Sequence, residues 1–146
     1  MPRQGDSLLI IRAGALRCAL PVSQLREVMR PQPLKSANGL FPGVLGVSVV
    51  RGEALPVLSL GELLHQPDEA ITRFVVVRTP GRDFVIACAA VEYIGSFDQS
   101  EWQRLPSLLQ SIGAAERIAA VDRDLVVTLD MGRVLETLPP QEGVTA

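Results

Sequence analysis

The chain has 146 residues, of which 47% are hydrophobic, 21% charged and 4% aromatic, and its formal net charge is −2. This size suits one compact domain or two small lobes around a shared core, and the apolar content excludes a disordered chain. The near-neutral charge and the scarcity of aromatic side chains argue against a dedicated nucleic-acid binder, which needs a basic face or stacking platforms.

The N-terminus (MPRQGD) is polar and holds no apolar signal segment, so we expect it to form a short tail. No later stretch approaches the about 18 uninterrupted apolar residues of a membrane span. Cys18 and Cys88 each lie within an apolar, strand-like run, which indicates small buried side chains in a reduced compartment. These observations predict a soluble, cytoplasmic protein.

The N-terminal part predicts a hairpin, a short helix and a loop. Residues 8–11 and 16–20 are apolar runs on either side of a small-residue turn, which is typical of two paired strands. Ser23 can cap a short helix over residues 24–29, where apolar side chains recur at helical spacing. Residues 31–43 hold three prolines and two glycines and predict a loop.

Residues 44–64 (VLGVSVVRGEALPVLSLGELL) form the most informative segment of the chain. Two apolar runs, 44–50 and 54–60, flank the tight turn Arg51-Gly52-Glu53 and predict a β-hairpin. A short amphipathic helix follows over residues 60–64. An arginine at the hairpin tip, with no reactive group beside it, indicates recognition rather than catalysis.

The second half of the chain repeats this order. Residues 73–77 and 84–91 predict one hairpin, and residues 118–121 and 125–129 predict another. A final helix over 131–138 follows, capped by Asp130, and the turn Asp122-Arg123-Asp124 corresponds to the turn at residues 51–53.

Between these two hairpins, residues 95–116 hold an amphipathic stretch, which Pro106 divides into two short turns of helix. Its apolar side chains are Trp102, Leu105, Leu108, Leu109 and Ile112.

The repeated order of hairpin and short helix predicts two similar β-barrels that arose by duplication. We expect a polar tail over 1–6, a single domain over 7–138 and a loose tail over 139–146. Within the domain, residues 66–72 are expected to connect a first lobe, about 7–70, to a second lobe, about 71–138.

The chain shows no arrangement typical of an active site. His65 is the only histidine, follows Leu63-Leu64 at a helix end, and predicts a helix-terminal position rather than a catalytic one. The sequence holds no CxxC, HExxH, GxGxxG, Walker or GxSxG motif, so we expect neither a metal nor a nucleotide nor an acyl-transfer site. We therefore predict a protein that is not an enzyme.

A binding surface must therefore come from exposed side chains. Arg51 offers a planar fork of donors that suits carboxylates or carbonyls of another protein, although a solvated turn arginine shows the same pattern. Arg26 and Glu27, on the predicted first helix, carry the same two interpretations. The valines of the first run predict barrel core, although a small barrel can also show one apolar strand face to a partner: they are Val44, Val47 and Val49.

The run Gly46–Leu60 (GVSVVRGEALPVLSL) resembles the hallmark of the CheW adaptor family of bacterial chemotaxis arrays, G-x-x-N-L-R-G-x-x-x-P-V-x-D-L. The glycines, the arginine and the Pro-Val-x-x-Leu ending fall in place. The opening hairpin, which leads through a proline into Val22-x-x-Leu25-x-Glu27-Val28, is also similar to the family, as are the last strand and helix. The resemblance covers about residues 7–138.

This resemblance implies an all-β fold with short helices, in which two similar five-stranded SH3-like β-barrels pack around a shared hydrophobic core. It implies a non-catalytic adaptor without cofactors, which couples the regulatory domain of a CheA-type histidine kinase to the cytoplasmic tips of methyl-accepting chemoreceptors. Such a protein is recruited to membrane-associated receptor arrays without inserting into the membrane, and it binds no nucleic acid.

By position in the family motif, the expected partner-contact residues are Arg51 and Gly52 at the hairpin tip and Glu27 and Val28 on the predicted first helix. Val49, inside the same motif, is the fifth candidate. The structural frame of this surface is expected from Pro56, Val57 and Leu60.

Three positions depart from the family pattern: Val49 replaces an asparagine, Ser59 an aspartate and Ala89 an aspartate of the second lobe. Each lost hydrogen bond is typically worth about 1 kcal/mol, so we expect the fold to persist while the choice of partner changes. One alternative is therefore an adaptor rewired to a different partner. Another is a small-molecule sensor that binds a ligand between the two barrels, for which the sequence supplies few converging polar groups.

Overall fold

A computed structural model describes residues 6–36, 43–67, 69–96, 102–107, 113–121 and 124–138. These ranges form strands and two short α-helices in the following order: β1 (Ser7–Ala13), β2 (Leu16–Pro21), β3 (Leu25–Met29), β4 (Lys35–Ser36), β5 (Val44–Val50), β6 (Glu53–Ser59), α1 (Leu60–Leu63), β7 (Arg73–Thr79), β8 (Arg82–Cys88), β9 (Ala90–Ser96), β10 (Gln103–Arg104), β11 (Ala115–Val121), β12 (Asp124–Leu129) and α2 (Met131–Thr137). No helix in the described part of the chain has the length and apolar character needed to cross a bilayer.

The strands form two six-stranded sheets with the same internal order. The first sheet runs β9-β1-β2-β12-β11-β10, and the second runs β3-β7-β8-β6-β5-β4. Corresponding neighbours pair in the same sense: β2 with β12 and β8 with β6 are parallel, and the other pairs are antiparallel. The predicted fold of two similar strand-built halves with short helices is confirmed, with six strands in each sheet where five were expected.

Each half of the chain contributes its first hairpin to the sheet of the other half. The hairpin β1–β2 joins β9 to β12, whereas β7–β8 joins β3 to β6. The sheets therefore cross the expected lobe boundary near residue 70, although both halves keep the same order of hairpin, four strands and helix. Because the exchanged hairpins supply interior strands, neither sheet can form from one half alone.

Both faces of the interior strands are buried, which explains their unbroken apolar runs. In β1, Leu8 and Ile10 belong to a cluster formed within the first sheet, whereas Leu9 and Ile11 belong to a larger cluster that both sheets share. The strand β7 divides in the same way between the second sheet's own cluster (Phe74, Val76) and the shared one (Val75, Val77). The predicted shared hydrophobic core thus lies between the sheets, because side chains alternate along a strand.

The two cysteines, Cys18 and Cys88, are free and buried within this shared core. Burial raises the pKa of Cys88 to about 11, and burial together with the nearby Cys88 raises the pKa of Cys18 further. Both thiols therefore stay protonated at neutral pH and pack as small apolar groups, as predicted.

The prediction of a helix over residues 24–29 is wrong. This segment completes a 3₁₀ turn (Val22–Gln24) and then forms β3, which pairs with β7. A helix of six residues is unstable alone, whereas pairing with β7 satisfies the backbone of the segment through tertiary contacts. Glu27 and Val28 consequently lie on a strand at one end of the second sheet.

The turn of helix predicted before Pro106 is also wrong, because Gln103–Arg104 forms β10 and pairs with β11. Trp102 and Leu105 are buried on either side of this strand. Five residues of the sequence analysis lie outside the described residues: Leu108, Leu109, Ile112, Asp122 and Arg123.

Candidate functional site

The turn between β5 and β6 consists of two residues, Arg51 and Gly52, and both have positive φ angles (51° and 80°). Consecutive left-handed residues are typical of a type I′ turn, whose twist matches that of the flanking strands. Gly52 adopts this conformation at little cost, and a β-carbon there would meet nothing within 4 Å. Glycine is therefore favoured at this tip by its backbone conformation and not by lack of room. The space beside Arg51 is open.

The Arg51 side chain forms a two-point ion pair with Glu27 of β3. The distance from Arg51 Nη2 to Glu27 Oε1 is 3.0 Å, and from Nε to Oε2 it is 3.3 Å. The Arg51 side chain is 71% exposed but that of Glu27 only 23%. The hydrogen bonds from Arg51 hold the pKa of the Glu27 carboxyl below its usual range. Glu27 is thus a charged anchor that orients an otherwise solvent-facing guanidinium.

A β-bulge brings this anchor to the turn. Leu25 pairs with Val77 and Glu27 with the next residue, Val76, so Arg26 is an extra residue in β3. Although three strands separate β3 from β5 in the sheet order, Glu27 still reaches the β5–β6 turn. The second sheet therefore curls until its β3 end meets the hairpin tip.

Arg26 reaches two carboxylates at the same end of the sheet. Its Nη1 atom lies 3.0 Å from Asp83 Oδ2 at the start of β8 and 3.1 Å from Glu53 Oε1 directly after the turn. Hydrogen bonding to Asp83 first, and then to Glu53, raises the pKa of the Arg26 guanidinium. We call the group of five charged residues the tip cluster: Arg26, Glu27, Arg51, Glu53 and Asp83.

Two of the candidate valines are exposed near the tip cluster. Val28 on β3 is 42% exposed and Val49 on β5 is 64% exposed, opposite Ala54. Along β5 the side chains of Ser48 and Val50 are buried, so the alternation of the strand turns Val49 outward. The sequence predicted Val44, Val47 and Val49 in the barrel core, and this prediction is wrong for Val49.

Of the other two valines, Val44 is buried as expected and Val47 is partly buried. The structure thus brings Arg51, Gly52 and Glu27 together and places Val28 and Val49 beside them along β3 and β5. Their role in binding stays a prediction. The ion pairs of Arg26 with Glu53 and Asp83 were missed, because a bulge has no sequence signal in a segment that favours a helix.

Ser59, which stands where the family pattern has an aspartate, makes a side-chain hydrogen bond at the start of α1. Ser59 is the N-cap of α1, and its Oγ atom accepts a hydrogen bond of 3.1 Å from the Glu62 N–H. Asp130 caps α2 in the same way, accepting from the Arg133 N–H at 3.3 Å. The expectation that this departure removes a hydrogen bond is therefore wrong, because serine and aspartate are both effective caps.

The departure in the second half of the chain, Ala89, lies between β8 and β9. Its backbone N–H donates to the Arg12 carbonyl at 3.0 Å, and its carbonyl accepts from Thr72 Oγ1 at 2.6 Å. The main chain of this residue thus holds the segment in place without a side-chain hydrogen bond.

A cleft of about 540 Å³ lies between α1 and α2. Its lining combines an apolar floor with charged and polar side chains: Gly43, Glu62, Leu63, His65, Gly113, Ala114, Arg133, Glu136 and Thr137. His65 follows the C-cap residue of α1, Leu64, with a φ of 53°, and its backbone N–H donates to the Glu62 carbonyl. In the described ranges, no group of three or more His, Cys, Asp or Glu side chains could hold a metal ion.

Comparison with known proteins addresses the chain as a whole. The family model "CheW-like domain" matches residues 7–138. The crystal structure of the scaffolding protein TtCheW from Thermoanaerobacter tengcongensis is similar, with a TM-score of 0.75 and 16% sequence identity. The alignment covers 86% of this chain and 89% of that chain, and at such identity it concerns the fold. A search of curated proteins found no match.

Proposed function

Because the chain belongs to the family of CheW-like domains, we propose that it is a non-catalytic adaptor in bacterial chemosensory signalling. The adaptor couples the regulatory domain of a CheA-type histidine kinase to the cytoplasmic tips of methyl-accepting chemoreceptors. It acts in the cytoplasm and joins membrane-associated arrays through these partners. It uses no cofactor.

The observation that carries the proposal is the exposed Arg51 guanidinium held in place by Glu27. A guanidinium has five N–H donors, of which two face the Glu27 carboxylate, and the remainder suit a carboxylate or carbonyl of a partner. Val28 and Val49 offer apolar surface near this charge. An oriented arginine beside exposed apolar side chains is the composition of a protein interface rather than of a reactive site.

Titration calorimetry with a kinase regulatory domain and with a receptor-tip helical hairpin tests this proposal. The wild-type chain is expected to bind both, and Arg51→Glu to weaken binding at least about tenfold, because it places two carboxylates face to face. Arg104→Glu is the matched control, since Arg104 is exposed on β10 of the other sheet. Wild-type affinity in Arg51→Glu would remove the site from the proposal, and absence of binding by the wild type would remove the adaptor function.

The cleft between α1 and α2 favours a second candidate, a sensor of a small ligand between the two halves. Its polar side chains, among them His65 and Arg133, converge more than the sequence suggests. A metabolite that raises the melting temperature saturably in the wild type, and not in Arg133→Ala, would support this function. A screen without such a ligand would leave the adaptor as the sole proposal.

A further inference from the structure

Arg26 occupies an unusual place in the tip cluster. It is the extra residue of the β3 bulge, it directly precedes Glu27, and its side chain is only 18% exposed. A single nitrogen, Nη1, contacts Glu53 of β6 and Asp83 of β8. Arg26 therefore fastens the strand that carries Glu27 to the strand that leaves the Arg51 turn.

The first sheet holds a corresponding link, in which the central arginine lies on the hairpin strand β2 and the bulge residue is acidic. There the bulge lies in β9, since Ile10 pairs with Tyr93 and Ile11 with Val91, so Glu92 is the extra residue. Glu92 Oε1 lies 2.8 Å from Arg17 Nε on β2, and Arg17 Nη1 lies 3.2 Å from Asp124 Oδ1 on β12.

The shared strand order makes these positions equivalent in pairs. Glu92 corresponds to Arg26, and Arg17 is the second residue of β2 as Asp83 is the second of β8. Asp124 opens β12 as Glu53 opens β6. The link between bulge and hairpin thus occurs in both sheets, with an anion at the bulge in one and a cation in the other. In both sheets the bulge residue and its partner on the neighbouring hairpin strand carry opposite charges, and an acidic residue follows at the start of the next strand.

We propose that Arg26 is a positioning residue for the contact made by Arg51, an inference that rests on the proposed function. By holding Glu53, two residues after Arg51, it fixes the backbone of the turn, and by filling the bulge it fixes the direction of Glu27. Arg26 itself faces inward and leaves the partner to Arg51. The pair Arg51–Glu27 alone could move with a flexible tip, whereas the link through Arg26 ties both partners to β8.

The test begins with Arg26→Gln, which keeps most of the side-chain volume and removes the charge. We expect binding of the kinase regulatory domain to weaken about three- to tenfold, which lies in the lower part of the range for coupling between contacting groups. The NMR signal of the Arg51 Nε–H should broaden or move towards the position of a solvated arginine. In an Arg51→Ala background, Arg26→Gln should weaken binding no further.

A charge-reversed rescue separates positioning from a general loss of stability. In the double variant Arg26→Glu/Asp83→Arg, the new arginine can pair with the new glutamate and with Glu53, as Arg17 pairs with Glu92 and Asp124. Recovery of affinity and of the Arg51 signal is expected.

Three outcomes would overturn the proposal: an unchanged Arg51 signal in Arg26→Gln, additive losses with Arg51→Ala, or a folded double variant without rescue. If the wild type binds no kinase domain, the proposed function fails, and the Arg51 signal of Arg26→Gln still decides whether Arg26 positions Arg51.

Discussion

Gly113 lies against the backbone carbonyl of Leu63, so closely that a β-carbon at this glycine would overlap the oxygen. The next residue, Ala114, donates its N–H to the same oxygen at 3.0 Å. This contact joins the end of α1, from the first half of the chain, to the start of β11, from the second. Gly113 also has a positive φ of 41°, so glycine is required there for two reasons.

Gly113→Ala is expected to lower the free energy of unfolding by about 2–3 kcal/mol, because the methyl group must displace backbone. Gly81→Ala is the matched control. Gly81 has a positive φ of 97°, but a β-carbon there meets nothing within 4 Å, so only the backbone strain of about 1 kcal/mol applies. Urea unfolding of both variants measures the difference, and equal losses would contradict the close approach.

Ser59→Ala is expected to cost about 1 kcal/mol, because the Glu62 N–H at the start of α1 loses its acceptor. Ser59→Asp should be neutral or slightly stabilising, since a carboxylate also caps the helix and favours its positive end. Urea unfolding of the two variants at neutral pH checks this. A loss as large in Ser59→Asp as in Ser59→Ala would show that the cap is not the reason.

We expect the free energy of unfolding to fall at acid pH, because Glu69 forms an ion pair with Arg12. Arg12 Nη1 lies 3.0 Å from Glu69 Oε2, and the Gly14 N–H donates to the same oxygen at 3.2 Å. These hydrogen bonds, that of Arg12 first, hold the pKa of Glu69 below its usual value. A carboxyl group whose pKa is lower in the folded state than in the unfolded state stabilises the fold. This stabilisation is present above the unfolded-state pKa of about 4.3 and is lost as the pH falls through the folded-state pKa.

Glu69→Gln should therefore be less stable than the wild type at pH 7, and the difference should shrink below about pH 4. Denaturant unfolding at several pH values measures both curves. Parallel curves from pH 7 to pH 3 would contradict this role of Glu69 in holding the β1–β2 turn.

We expect the two sheets to unfold together, because each contains a hairpin from the other half of the chain. Trp102 is the only tryptophan, and it packs in the cluster of the first sheet. Val85→Ala removes two methyl groups from the separate cluster of the second sheet and should cost about 2 kcal/mol. Its unfolding midpoint by Trp102 fluorescence should fall as far as the midpoint by circular dichroism. A fluorescence midpoint that stayed at the wild-type value would show that the sheets unfold independently.

Local patterns in the sequence predicted the hairpin around Arg51 and the cap of α2 at Asp130, whereas the cap of α1 at Ser59 was not predicted and the helix expected after Ser23 is a strand. A glycine turn between two apolar runs is recognisable from a few neighbouring residues, and so is a capping residue before a helix. Both features therefore leave a local signal in the sequence. The family motif added the pairing of the Arg51 turn with the segment around Glu27 as an expected surface.

Tertiary contacts decided what the sequence analysis missed. Leu25–Met29 shows helical spacing but becomes a strand because β7 is available to pair with it. The outward direction of Val49 and the link through Arg26 depend on register and on a bulge, and a change of one residue in register turns a side chain to the other face. The exchange of hairpins depends on which of two similar partners each hairpin chooses, which the order of elements does not encode.

The exchange has a consequence for the protein during its synthesis. Arg17 of β2 pairs with Val126 of β12, so β2 is synthesised long before its parallel partner. Until β12 has been synthesised, one edge of the apolar hairpin β1–β2 is unpaired, and such edges are prone to aggregation. Pairing between such distant parts of the chain also slows folding, because a long loop must close before the contact forms.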